Sequence, residues 1–260
     1  MPRSGGGVQR VQSWPSVNAD GGCSVLQNMG LTREDLENDV LRKSYAHRKH
    51  NLPLVPEDEF LASLDRILAG WNPARDLWVF GYGSLIWNPL FHYVERRLAC
   101  VHGFHRRFCL RSRSGRGSIE NPGLVLGLDF GGCCNGVAFR IAADQARQEL
   151  TLIWRREMVL GSYAPRWVKM RAGRSQLRAI AFVVNHAHPH YARTLPLDTV
   201  IRTLATAHGR FGSSADYLYQ TVDCLAAHGI HDAYLVALRE RVMAATGGLH
   251  HPVECPEVGA

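Results

Sequence analysis

The sequence predicts an α+β protein, with strands through the middle of the chain and helices at its end. Three observations lead there. Short β-rich apolar runs bounded by Gly, Pro or Asn recur between residues 77 and 184, helical periodicity takes over after Pro196, and one long amphipathic segment at about 143–160 interrupts the strands. A doubly wound sheet would alternate strand and helix throughout, so this order argues against it. Of 260 residues, 46% are hydrophobic and 20% charged, an ordinary globular balance far from that of a disordered chain.

Residues 1–31 are rich in glycine and serine without hydrophobic periodicity, and are expected to be a disordered leader, with Met29 as a candidate start. Residues 32–75 form an expected helical extension. Thr32 suits a helix N-cap, with Leu36, Val40 and Leu41 on one side. Pro56 fits the first position of a second helix, the acids Glu57, Asp58 and Glu59 complement its N-terminal dipole, and Phe60, Leu61, Leu64, Ile67, Leu68 and Trp71 make one apolar stripe. The main domain spans residues 76–246, with strands expected at 77–80, 104–110, 124–129, 136–140, 166–170 and 177–184. Helices follow at 197–208, at 214–228 stopped by Gly229, and at 232–245 stopped by Gly247, leaving 247–260 as a flexible tail.

Several function classes recede at this point. No run approaches the ~18 apolar residues of a membrane helix and no apolar segment follows Arg3, so a cytoplasmic protein with no membrane partner is expected. Seven cysteines without a C-x-x-C pair read as reduced thiols, and Cys133 and Cys134 point to opposite faces of a strand rather than to a shared metal. His186, His188 and His190 have the alternate spacing of a metal module, but Pro189 favours a solvated turn. The formal charge of +7 favours an anionic partner, and its densest source is the run from residue 96 to 116, with seven arginines and no acid. Without a recognisable nucleic-acid module around Phe104 and Phe108, that run reads first as a solvated face and second as an attractor of an anionic substrate; an RNA-binding surface is the remaining reading.

Two features carry chemistry. The first is the stretch Val79, Phe80, Gly81, Tyr82, Gly83, Ser84, where a buried strand runs into a tight loop. Glycines one residue apart permit φ > 0 at both, so backbone N–H groups can converge on a carboxylate or phosphate; the alternative is a turn with no ligand. The stretch is not a dinucleotide fingerprint, because Ile86 replaces the third glycine, and it lacks the flanking glycines of a nucleophile elbow at Ser84. The second is Glu157. On a wheel of about 100° per residue it falls within the apolar arc of Ala146, Leu150, Ile153 and Trp154, which aims a carboxylate at the core while Arg155 and Arg156 project away. Such a group is either a proton-transfer residue with a raised pKa or half of an ion pair with an arginine from elsewhere.

The ordered motifs from Trp78 to Trp87, Arg106-Arg107-Phe108, Asn121-Pro122-Gly123, the stretch from Gly136 to Arg140, and Arg156-Glu157 with Gly161 and Tyr163 resemble the ChaC-like glutathione-specific γ-glutamyl cyclotransferases over residues 77–243. The resemblance implies a compact mixed β-barrel with flanking helices, a substrate loop at Val79 to Ser84, Glu157 as the acid/base and Tyr217 in the pocket wall. It implies glutathione as substrate, 5-oxoproline and cysteinylglycine as products, and no metal or organic cofactor. Other γ-glutamyl peptides and amines remain alternative substrates, and a hydrolase using Ser84 with a histidine base is a distant rival. The sequence carries no information on oligomeric state.

Overall fold

The computed structural model describes residues 30–47 and 54–248; the expected leader up to residue 29 and the tail from residue 249 lie outside the described residues. Two short helices, α1 (Arg33–Glu37) and α2 (Val40–His47), precede α3 (Glu57–Leu68). Thr32 caps α1 in a reciprocal capping box with Asp35. The first expected helix is broken in two because Asp39 has a φ of 50°, which a right-handed helix does not accommodate.

Five strands close into a barrel in the order β1-β3-β2-β4-β5: β1 (Leu77–Gly81), β2 (Glu95–Ser112), β3 (Gly123–Ile141), β4 (Tyr163–Ala172) and β5 (Ser175–Val184). Neighbours in that order are antiparallel, and β5 completes the closure by pairing in parallel with β1 at Val79 and Ile180 and with β3 at Leu128 and Val183. The barrel is therefore mixed. A short α4 (Ser84–Trp87) follows β1, and α5 (Ala146–Glu157) crosses from β3 to β4. The chain then adds α6 (Leu197–Thr206), the two-residue strands β6 (His208–Gly209) and β7 (Gly212–Ser213), α7 (Ser214–Ala227) and α8 (Ala233–Thr246).

The strands expected at 124–129 and 136–140 are one continuous β3. Gly131 and Gly132 have φ of 102° and 69°, opposite Gly103 at 84°, where the pairing register shifts between His102 and Phe104. A Gly-Gly pair that reads as a turn is here a bulge that bends the long ribbon around the barrel. Cys133 is exposed and Cys134 buried, as alternation requires. Cys100, Cys109, Cys133 and Cys134 are free thiols, whereas Cys224 is disulfide-bonded, which departs from the all-thiol expectation.

Phe80, Phe91, Phe139 and Phe182 fill the interior, and Trp154 of α5 packs edge-on against Phe182 at 5.2 Å. The Trp154 indole donates to Ser63 Oγ at 2.9 Å, so α5 is fastened between α3 and the barrel. Truncating a buried aromatic of this kind costs about 3–5 kcal/mol. Among the described residues no helix is long and apolar enough to cross a membrane.

Candidate active site

Glu157 is the last residue of α5, and its side chain is 11% exposed. It lines a cavity of about 190 Å³ together with Ser84, Trp87, Arg116, Tyr163 and Tyr217. A tighter recess of about 10 Å³ joins it to Tyr82, Gly83 and Ser84. Burial pushes the Glu157 carboxyl above its ordinary pKa, and the Arg156 charge opposes the shift. The carboxylate also stands at the negative end of the α5 dipole, which disfavours ionisation further.

The helix-wheel expectation for the two arginines holds for one of them. Arg155 turns away, donating to the carbonyls of Leu36 at 3.0 Å and Glu37 at 2.7 Å. Arg156 instead folds back, with Nε 3.1 Å from Glu157 Oε1 and Nη1 hydrogen-bonded to the Asn88 carbonyl. A wheel gives the direction of Cβ, whereas a long side chain follows the acceptor that holds its end. The ion pair is therefore made by the neighbour in sequence.

The glycine loop works differently from the expectation. Neither Gly81 nor Gly83 has a positive φ, and Gly83, the N-cap of α4, has φ −146°. Both glycines supply space. A Cβ on Gly83 would stand 3.0 Å from the Tyr217 hydroxyl, and one on Gly81 would stand 3.0 Å from Phe139 Cε2. The first-turn N–H groups of α4 have no intrahelical acceptor, although Ile86 N–H donates to the Gly83 carbonyl at 2.8 Å. Val79 and Phe80 are wholly buried core residues, and Gly81 pairs with Val137 on β3; none of the three lines a cavity with Glu157. Tyr82, Gly83, Ser84 and Tyr217 do.

Three tyrosines surround the carboxylate. Tyr82 donates to the Phe182 carbonyl at 2.7 Å and Tyr163 to the Leu126 carbonyl at 2.9 Å, while Tyr217 and Ser84 face the same cavity. Burial first, and then the Glu157 charge among others, raises all three phenol pKa values, so each stays a neutral donor. Arg106 secures the loop from below, donating to the Tyr82 carbonyl at 2.9 Å and pairing with Asp232 at 3.0 Å.

Residues 77–245 match the family model for the ChaC-like protein. The chain belongs to the ChaC-like family. It is 36% identical over 204 residues to the glutathione-specific γ-glutamylcyclotransferase of Escherichia coli strain K12, covering 78% of this chain and 87% of that one. It is 33% identical over 187 residues to the human glutathione-specific γ-glutamylcyclotransferase 1, covering 69% and 82%. The crystal structure of a yeast γ-glutamyl cyclotransferase specific to glutathione superposes with a TM-score of 0.61 at 25% identity, covering 68% of this chain and 99% of that one. The mixed barrel with flanking helices is thus the γ-glutamyl cyclotransferase fold.

The Glu157 cavity of this ChaC-like chain has lining residues outside the sequence expectation. Gly30, Leu31, Leu41 and Tyr45, all before the matched range, form one wall of the Glu157 cavity. Arg33 fastens that wall with two donations to Glu149 of α5, at 2.7 and 2.9 Å, and Asn88 donates to the Leu31 carbonyl at 3.1 Å. The arginine run does not form one solvated face, because a ribbon alternates its sides. Arg106 is buried, Arg107 pairs with Asp129 at 2.8 Å, and Arg116 enters the cavity. The three histidines do not converge either. His186 pairs with Asp129 at 2.6 Å, and His190 is buried; among the described residues no group of His, Cys, Asp and Glu could hold a metal. A cavity of about 630 Å³ lies between the barrel and the loop before α8 and does not include Glu157.

Proposed function

We propose that this ChaC-like protein is a glutathione-specific γ-glutamylcyclotransferase, an amide-cleaving lyase that turns glutathione into 5-oxoproline and cysteinylglycine with Glu157 as its acid/base. The observation that carries the reading is a buried carboxylate with a raised pKa, facing a glycine loop across a small cavity. The α-amine of a γ-glutamyl group can attack its own γ-carbonyl, forming a five-membered ring as the C–N bond to cysteine breaks. Holding the reacting atoms in line supplies up to ~7–11 kcal/mol, so most of the catalytic advantage comes from folding the substrate. The loop from Val79 to Ser84 and Tyr217 would do the folding, with Tyr82, Gly83, Ser84 and Tyr217 at the cavity and Val79, Phe80 and Gly81 as the strand that carries them. The N–H groups opening α4 would receive the α-carboxylate.

The α-amine arrives as an ammonium. Glu157 takes one proton from it so that the free amine can attack. The second proton, which the ring nitrogen loses once the new C–N bond has formed, passes through the same carboxylate, so that the cysteinyl nitrogen gains both and leaves as an ammonium, a role worth ~10²–10⁴-fold. Arg156 favours the ionised carboxylate that begins the reaction, while burial favours the protonated form that hands a proton on. The Ser84 hydrolase has less support, because no histidine lines either cavity that Ser84 faces. We place the reaction in the cytoplasm, where the substrate thiol stays reduced.

Incubating the protein with reduced glutathione and following products by mass spectrometry tests the reading. Equimolar 5-oxoproline and cysteinylglycine are expected. Free glutamate in place of 5-oxoproline would mean hydrolysis and overturn it.

A further inference from the structure

Arg116 sits in the glycine-rich turn after β2, where its backbone N–H donates to Ser112 Oγ at 2.9 Å. Its guanidinium lies over two rings at once, 5.5 Å from the Tyr217 centroid and 5.7 Å from that of Trp87, and one Nη donates to the Ser213 carbonyl at 3.3 Å. Among the described residues no carboxylate forms an ion pair with it. Asp216 is the acid whose charge reaches it, but the Oδ2 of Asp216 accepts the Ser213 backbone N–H at 3.2 Å in the α7 cap. Burial lowers the Arg116 pKa, and Arg156 across the cavity lowers it further. A desolvated guanidinium with spare donors and no paired acid is costly to the fold, and its planar fork matches a carboxylate.

Its place in the cavity decides which carboxylate. The recess that brings Glu157 to Tyr82, Gly83 and Ser84 does not include Arg116, whereas the wider cavity does. The α-amine and α-carboxylate share one carbon, so both must stay beside Glu157 and the loop. A second carboxylate on the same substrate would extend outward past the Tyr217 ring. Resting on the function proposed above, we propose that Arg116 anchors the C-terminal carboxylate of the departing dipeptide, and so selects γ-glutamyl peptides with a free C-terminus over neutral γ-glutamyl amides and esters. The charges then match throughout: Glu157 meets the ammonium, the α4 N–H groups meet the α-carboxylate, and Arg116 meets the far one.

The test compares glutathione with its glycine monoethyl ester on the full chain, as wild type, Arg116→Gln and Arg116→Lys, by product formation and by calorimetric binding of S-methylglutathione and its ester. The wild type is expected to favour the free acid over the ester by ~10–100-fold, the range of one charge-assisted pair. In Arg116→Gln that ratio falls to about one through a raised KM for glutathione, and Arg116→Lys restores part of it. An unchanged ratio in Arg116→Gln, or equal losses on acid and ester, would overturn the proposal, the second outcome marking a structural or α-carboxylate role. If the wild type makes no 5-oxoproline yet binds the acid over the ester through Arg116, the reaction reading fails and the anchor stands. If it shows no such preference in binding, the anchor fails.

Discussion

A carboxylate with a raised pKa favours folding in its protonated form, so ionised Glu157 costs stability once pH rises through its folded value. Glu157→Gln removes that cost at neutral pH. The variant is expected to keep or exceed the wild-type Tm while turnover falls by ~10²–10⁴-fold, measured by thermal unfolding and 5-oxoproline release. Activity of the wild type should decline as pH falls through the same raised pKa, because a protonated base cannot accept a proton. A pH–rate profile with no acidic limb would contradict the assignment. Gly83→Ala places a Cβ 3.0 Å from the Tyr217 hydroxyl and is expected to lower kcat/KM by about 10–100-fold with little loss of fold, since the phenol must give way. Helical period alone is enough to aim Glu157, because the direction of Cβ is set by the backbone. Arg116 does not stand out in the same way: its run of arginines looks uniform in sequence, and it is the turn after β2 that sends its guanidinium into the Glu157 cavity.

Helix α5 carries Glu157 at one end and Glu149 near the other. Burial alone would raise the Glu149 pKa, but two donations from Arg33 and one from the His92 N–H at 2.8 Å outweigh it and hold the group below its ordinary value. The stabilisation is present above the unfolded carboxylate pKa and is lost as pH falls through the lower folded one. Glu149→Gln is therefore expected to cost about 1–3 kcal/mol in urea unfolding at neutral pH, with the difference from wild type shrinking in acid. The helices α6 to α8 are legible from their flanking proline and glycines, as is the existence of β1, β4 and β5. The length of β2 and β3 is not, since glycine at a bulge and glycine at a turn look alike until a partner strand is present.

For the whole molecule, the strand-then-helix order points to the α+β class, but nothing in it marks barrel closure, which rests on parallel contacts of β5 with β1 and β3. Arg106 links barrel, loop and helix: its side chain is 3% exposed and ties β2 to the Tyr82 carbonyl and to Asp232, the N-cap of α8. Arg106→Leu leaves that acid without its partner and is expected to cost about 3 kcal/mol, read as a lower Tm. The wall built by Leu31, Leu41 and Tyr45 comes from chain that precedes the family range, while Glu157 lies inside it. The Glu157 cavity is thus completed by two separable stretches of one gene product. On the proposed reading, two relatives that share Glu157 and the barrel would differ in diet wherever their opening helices shape this wall differently.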